Sequence, residues 1–162
     1  MTMNTEARYG AYETAVDGRP IRTVLADDSP TVLKTLSLLL ERENGFQIVG
    51  TATDGYHAIR RVIELEPDLV LMDVRLQGIN GLDAARHIKA RPQAPTVIMV
   101  TNDDTPACRA AASTAGADDF VGKQRMLTQL PAALRTLFPR AAKSVSVGLR
   151  RAAPEEFAIS SA

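Results

Sequence analysis

The sequence predicts a doubly wound α/β domain, with five parallel strands in one sheet and five helices covering both of its faces. Three observations predict it. Short β-suited runs alternate with longer segments of helical spacing, which implies repeated βαβ units and a parallel sheet. The two central runs, "LVLM" at 69–72 and "VIMV" at 97–100, are apolar throughout, as strands buried on both faces should be. Glycine and proline stand at the joints between runs, where a chain changes direction.

The elements follow in order. Residues 1–19 show no sustained periodicity and close on the turn signature Asp17-Gly18-Arg19-Pro20, so they read as an N-terminal extension. "IRTVLA" from Ile21 is the first strand run. A helix follows, with Val32, Leu33, Leu36, Leu39 and Leu40 on one face and Asn44-Gly45 as its stop. Asp28 or Ser29 suits its cap, and Pro30 its first position. "FQIVGTAT" is the second run, before a helix striped by Tyr56, Ile59, Val62 and Ile63 and halted by Pro67. "DLVLMD" is the third, before a helix marked by Leu82, Ala85 and Ile88 that ends ahead of Pro92. "PTVIMVT" is the fourth, and the alanine-rich helix after it runs from Pro106 to Ala115. "DDFVGK" is the fifth, before a helix carrying Leu127, Leu130, Leu134 and Leu137 and stopped by Pro139. One domain over 20–139 results. The order fades over 140–162, which read as a flexible tail.

Composition narrows the function. Nineteen basic residues balance nineteen acidic ones in 162, so no overall field recruits nucleic acid or an anionic membrane. The single cysteine, Cys108, permits no intrachain disulfide and reads as a small packing residue. No apolar run is long enough to span a bilayer, and the polar N-terminus does not resemble a secretory signal. A cytoplasmic protein is expected. His57 and His87 fall within helices and read as surface residues.

The acids carry more information. Ligands of open parallel sheets bind beyond the carboxyl ends of the strands, where strand order reverses. Asp27 and Asp28 end the first strand run and Asp73 ends the third, so all three belong to that edge. Adjacent carboxylates repel unless solvent, a cation or a proton relieves them. Thr101 and Lys123 end the fourth and fifth runs at the same edge. Asp118 and Asp119 precede a strand and are expected in a solvated turn at the opposite edge. Asp103 and Asp104 are expected to serve the helix that starts at Thr105-Pro106.

Over about Ile21 to Phe138 this constellation resembles the response-regulator receiver domain, a flavodoxin-like fold. The acidic pair Asp27-Asp28 carries the resemblance, with "DVRLQGING" from Asp73, the strand ending at Thr101, and Phe120 three residues before Lys123. "VLADDSP" and "GFQIVGTATDG" look most like receivers that usually precede a helix-turn-helix output domain. None follows here, so a stand-alone receiver is expected.

The resemblance implies that Asp73 accepts a phosphoryl group from a sensor histidine kinase or a phosphotransfer protein. Mg²⁺ would be held by Asp27, Asp28, Asp73 and the backbone carbonyl of Arg75. Lys123 and the Thr101 hydroxyl would contact the phosphoryl oxygens, with Thr101 and Phe120 as the switch. It implies a downstream partner or a homodimer as output. The balanced charge, with no recognition helix after the receiver and no membrane-spanning run, leads us to expect no direct binding to DNA or membrane. Three positions depart from the family pattern: Gln77 and Gln124 each replace a usual proline, and Asn102 replaces a usual small residue. With no proline at 124, the Lys123–Gln124 bond is expected to be trans. No departure removes a reacting group. The competing readings are a pseudo-receiver that never binds phosphate and a haloacid-dehalogenase-type phosphatase, whose two acids lie two residues apart on the first strand.

Overall fold

The computed structural model describes residues 18–139 and Ala141. The expected extension over 1–19, save Gly18 and Arg19, and the expected tail over 140–162, save Ala141, lie outside the described residues.

Five strands form one wholly parallel sheet in the order β2-β1-β3-β4-β5. They are β1 (Ile21–Ala26), β2 (Phe46–Ala52), β3 (Leu69–Met72), β4 (Thr96–Thr101) and β5 (Asp119–Gly122). The helices are α1 (Pro30–Arg42), α2 (Gly55–Leu65), α3 (Gly81–Lys89), α4 (Pro106–Thr114) and α5 (Met126–Leu137), the last entered through a 3-10 turn at Lys123–Arg125. The predicted fold class is the observed one, and no peptide bond in the described chain is cis, including Lys123–Gln124.

Strand side chains alternate between two cores, as a period of two requires. Val24, Val70, Met72, Val97, Met99 and Phe120 face α2, α3 and α4. Leu25, Leu69, Leu71, Ile98, Val100 and Val121 face α1 and α5. The helices supply matching stripes, Leu36, Leu39 and Leu40 from α1 and Leu130 and Leu134 from α5 on one side. Small residues such as Ala58, Ala84, Ala85 and Ala112 do so on the other. Three residues placed on apolar stripes by their spacing are exposed instead: Tyr56, Ile63 and Leu127. They border the stripe, and neighbouring Ala58, Val62 and Leu130 take the buried positions.

Helix starts use the expected chemistry. Ser29, Asp54, Asn80 and Thr105 each accept a backbone N–H three residues on, and Pro30 and Pro106 occupy first-turn positions. Two expectations are corrected. The cap of α4 is Thr105, not Asp103 or Asp104. Asp118 is not simply a solvated turn residue. Its Oδ2 accepts from the Val97 N–H and from Lys89 Nζ, both at 2.8 Å, and so ties α3 to the start of β4. Its partners lie 21 and 29 residues away, beyond the reach of local pattern.

Candidate functional site

The strand order reverses between β1 and β3, and both strands end on aspartate. Ala26 and Met72 are in register, and the Asp73 N–H donates to the Ala26 carbonyl at 2.9 Å, so the next residues of the two strands lie side by side. Asp27 is only 1% exposed and Asp73 5%, whereas Asp28 faces solvent. One carboxylate oxygen from each of the three lies within 4.8 Å of the others.

Lys123 closes the group from β5. Its Nζ stands 2.6 Å from Asp27 Oδ2 and 2.8 Å from Asp73 Oδ2. The remaining oxygens take backbone donors: the Ser29 N–H reaches Asp27 Oδ1 at 2.8 Å, and the Arg75 N–H reaches Asp73 Oδ1 at 3.2 Å. Burial alone would lower the Lys123 pKa, but its hydrogen bonds to Asp27 and Asp73 outweigh that and hold the ammonium above its ordinary range. Burial pushes Asp27 up, against the downward pull of Lys123 and the Ser29 N–H. One ammonium among three carboxylates leaves negative charge that a further cation would relieve.

Gly81 allows this crowding. A Cβ there would fall 1.9 Å from the Asp73 carbonyl oxygen, so only glycine lets the first turn of α3 approach the strand end. The β3–α3 connection is also tied to α2. The Gly55 N–H donates to the Gln77 carbonyl at 3.2 Å, and the Tyr56 ring lies over Gly78. Gln77, in place of the usual proline, is therefore stiffened by a backbone bridge to Asp54.

Thr101 ends β4 on the same edge. Met72 pairs with Met99, so Thr101 lies one residue beyond the level of Asp73. Thr101 is fully buried, and its Oγ1 receives the Asp103 N–H at 3.4 Å. It shares the face of Met99, whose partner in β5 is Phe120. Phe120 is buried, with the Arg109 guanidinium 4.6 Å above its ring centroid. Arg75 is exposed at the rim and reaches Asp103 at 4.0 Å. Asn102 and Gln124 are exposed beside Thr101 and Lys123.

One group escaped sequence reasoning. Asp104 accepts from Arg109 Nε at 2.6 Å and from an Arg125 nitrogen at 2.5 Å. Arg125, and after it Arg109, holds the Asp104 carboxyl below the ordinary range, against the opposing effect of desolvation. The pairing with Arg125 spans 21 residues, and no periodicity signals it.

Residues 23–135 match the family described as the response regulator receiver domain. A protein-glutamate methylesterase/protein-glutamine glutaminase of Koribacter versatilis is 36% identical over 106 residues, covering 64% of this chain and 29% of that protein. The probable transcriptional regulatory protein TcrX of Mycobacterium tuberculosis is 34% identical over 124 residues, covering 76% of this chain and 52% of that protein. The solved response regulator domain of Thermotoga maritima CheB superposes with a TM-score of 0.66 at 29% identity, covering 77% of this chain and 98% of that one. A LuxR-family two-component response regulator from Aurantimonas gives 0.69 at 29% identity, covering 79% and 99%. The chain thus spans less than a third of the methylesterase relative and about half of the regulator.

Proposed function

The chain belongs to the response regulator receiver domain family of two-component signalling, and from that premise we propose that Asp73 is its phosphoacceptor. The donor would be a sensor histidine kinase or a phosphotransfer protein. The observation that carries this reading is the Lys123 ammonium held between Asp27 and Asp73, at 2.6 and 2.8 Å, with a solvent-facing third carboxylate beside them.

An anionic nucleophile must approach an anionic donor, so catalysis of phosphoryl transfer is chiefly charge neutralisation and positioning. The donor set fits Mg²⁺, which prefers carboxylate oxygens together with phosphate and water. When bound, that ion supplies positive charge to the carboxylates and to the incoming phosphoryl group. Asp27, Asp28 and Asp73 would hold it, with the Arg75 carbonyl. An Asp73 carboxylate oxygen forms the bond to phosphorus as the donor's nitrogen–phosphorus bond breaks. Lys123 donates to one phosphoryl oxygen, and the Thr101 hydroxyl donates to another. The chain assists its own phosphorylation and dephosphorylation and turns over no separate substrate. The rim residues Arg75 and Asn102 slow hydrolysis by crowding the approach of water.

The output is a switch from Thr101 through Phe120 to the α4–β5–α5 surface, which then binds a partner protein or a second copy of the chain. Moving such an equilibrium from 1:99 to 99:1 requires about 5.5 kcal/mol of differential binding. A dianionic group held by Lys123, Thr101 and a dication has strong enough charge-assisted contacts to supply it.

Incubation with acetyl phosphate and Mg²⁺ should add one phosphoryl group, seen by mass spectrometry of the intact protein, and Asp73→Asn should abolish it. Labelling that survives the substitution would refute the assignment. Absence of labelling in the parent protein would favour the pseudo-receiver reading.

A further inference from the structure

The Asp104 carboxylate is the meeting point of three segments. It belongs to the β4–α4 connection, its Oδ1 is gripped by Arg109 of α4, and its Oδ2 by Arg125 of the turn that leads into α5. The carboxylate lies directly over β5: a Cβ on Gly122 would fall 2.8 Å from Asp104 Oδ2 and 3.2 Å from its Cγ. Gly122 is in turn the register partner of Thr101. Only Asn102 and Asp103 separate Thr101 from Asp104, so a displacement of Thr101 pulls on the segment that carries this carboxylate.

Arg109 adds the second half. Its Nε and a terminal nitrogen both bind Asp104, which fixes the guanidinium plane, and the same guanidinium stands over the Phe120 ring. While the fork to Asp104 is intact, Phe120 cannot reorient without displacing the group that covers it. Isolated exposed ion pairs contribute little, but the Asp104 side chain is only 19% exposed and is shared by two arginines from different elements.

We infer that Asp104, Arg109 and Arg125 form a latch that holds the β4–α4 connection down and keeps Phe120 covered in the unphosphorylated state, and that phosphorylation must release it. This rests on the phosphoacceptor reading of Asp73. Asp104 is a positioning residue, touching neither the carboxylates that would hold the metal nor Lys123 in any hydrogen bond or ion pair among the described residues. An interaction that favours the resting state lowers affinity for whatever binds the switched state, by the factor it contributes.

The test measures affinity of the full chain for beryllofluoride with Mg²⁺, in the parent, Asp104→Asn and Arg125→Gln. Charge alone predicts opposite signs, because removing an anion near the site favours the anionic probe and removing a cation disfavours it. The latch predicts that both variants bind more tightly, by about two- to five-fold for a charge network of this exposure. Without beryllofluoride, both should also exchange amide hydrogen faster over residues 105–125, with the rest of the sheet unchanged. Arg125→Gln that binds equally or more weakly overturns the latch. If the parent does not bind beryllofluoride at all, the phosphoacceptor reading fails on its own. The latch is then decided by exchange, and unaltered protection over 105–125 in both variants overturns it.

Discussion

Lys123 and Asp73, fifty residues apart in the chain, meet at 2.8 Å across the carboxyl edge of the sheet, inside a side-chain environment that is almost closed to solvent. The same ammonium reaches Asp27 at 2.6 Å. A buried cation shared by two buried carboxylates cannot be removed without leaving uncompensated charge, so this one contact links stability to chemistry.

Lys123→Ala should therefore destabilise the metal-free protein by about 3–5 kcal/mol, the usual cost of orphaning a buried charge. Added Mg²⁺ should restore part of that loss, since a ligand that binds only the folded state stabilises it. Denaturant titration with and without Mg²⁺ measures both. A variant as stable as the parent in the absence of Mg²⁺ would contradict the role of Lys123 as counter-ion.

Replacing both Asp27 and Asp28 with Asn should weaken Mg²⁺ binding severely while the fold persists, because Lys123 keeps its ion pair with Asp73. Calorimetric titration of the purified chain reads the affinity, and circular dichroism reads the fold. Unchanged Mg²⁺ affinity would remove these two residues from the metal site.

Gly81→Ala is a steric probe of the same site. Its Cβ would stand 1.9 Å from the Asp73 carbonyl oxygen and 2.9 Å from the Val74 Cα, both backbone atoms that cannot rotate away. A loss of about 2–3 kcal/mol or more is expected, as for overpacking of a rigid neighbourhood. Phosphorylation by acetyl phosphate should slow as well, because Asp73 itself must shift.

Asp54 predicts a pH dependence. The His57 N–H that it caps lowers its pKa from 3.8, against some desolvation. A depressed carboxylate pKa contributes stability that is present above the unfolded value and lost as pH falls through the folded one. Asp54→Ala should thus be less stable than the parent at pH 7, and the gap should close in acid, below pH 3.8. Urea titrations at both ends of this range decide it. A gap that stays constant would mean that the cap does not act through its charge.

Hydrogen exchange with beryllofluoride tests the switch. Protection changes should spread from Asp73 into residues 105–138, and Thr101→Ala should confine them near Asp73. Changes that never leave the site in the parent would disprove coupling to the α4–β5–α5 surface.

Strand identity, strand direction and the edge that carries the acids were all legible without coordinates. Runs such as Leu69–Met72 and Val97–Val100 are apolar at every position and only four residues long, which fits a strand covered on both faces and is too short for a buried helix. Asp27, Asp73, Thr101 and Lys123 could be sorted to one edge because parallel strands all end on the same side. Adjacent Asp27 and Asp28 could not be told apart by sequence. The tertiary structure buries the first against Lys123 and leaves the second in solvent. Nor did helical spacing reveal that Tyr56 and Leu127 are exposed at 64% and 68%, since a stripe marks a face but not where its neighbour ends. Periodicity reports each residue's preference for core or water. The Asp118–Lys89 tie, the Asp104 clamp and the Gly81 approach depend instead on which strands become neighbours and in what register, and that is settled only when the sheet is assembled.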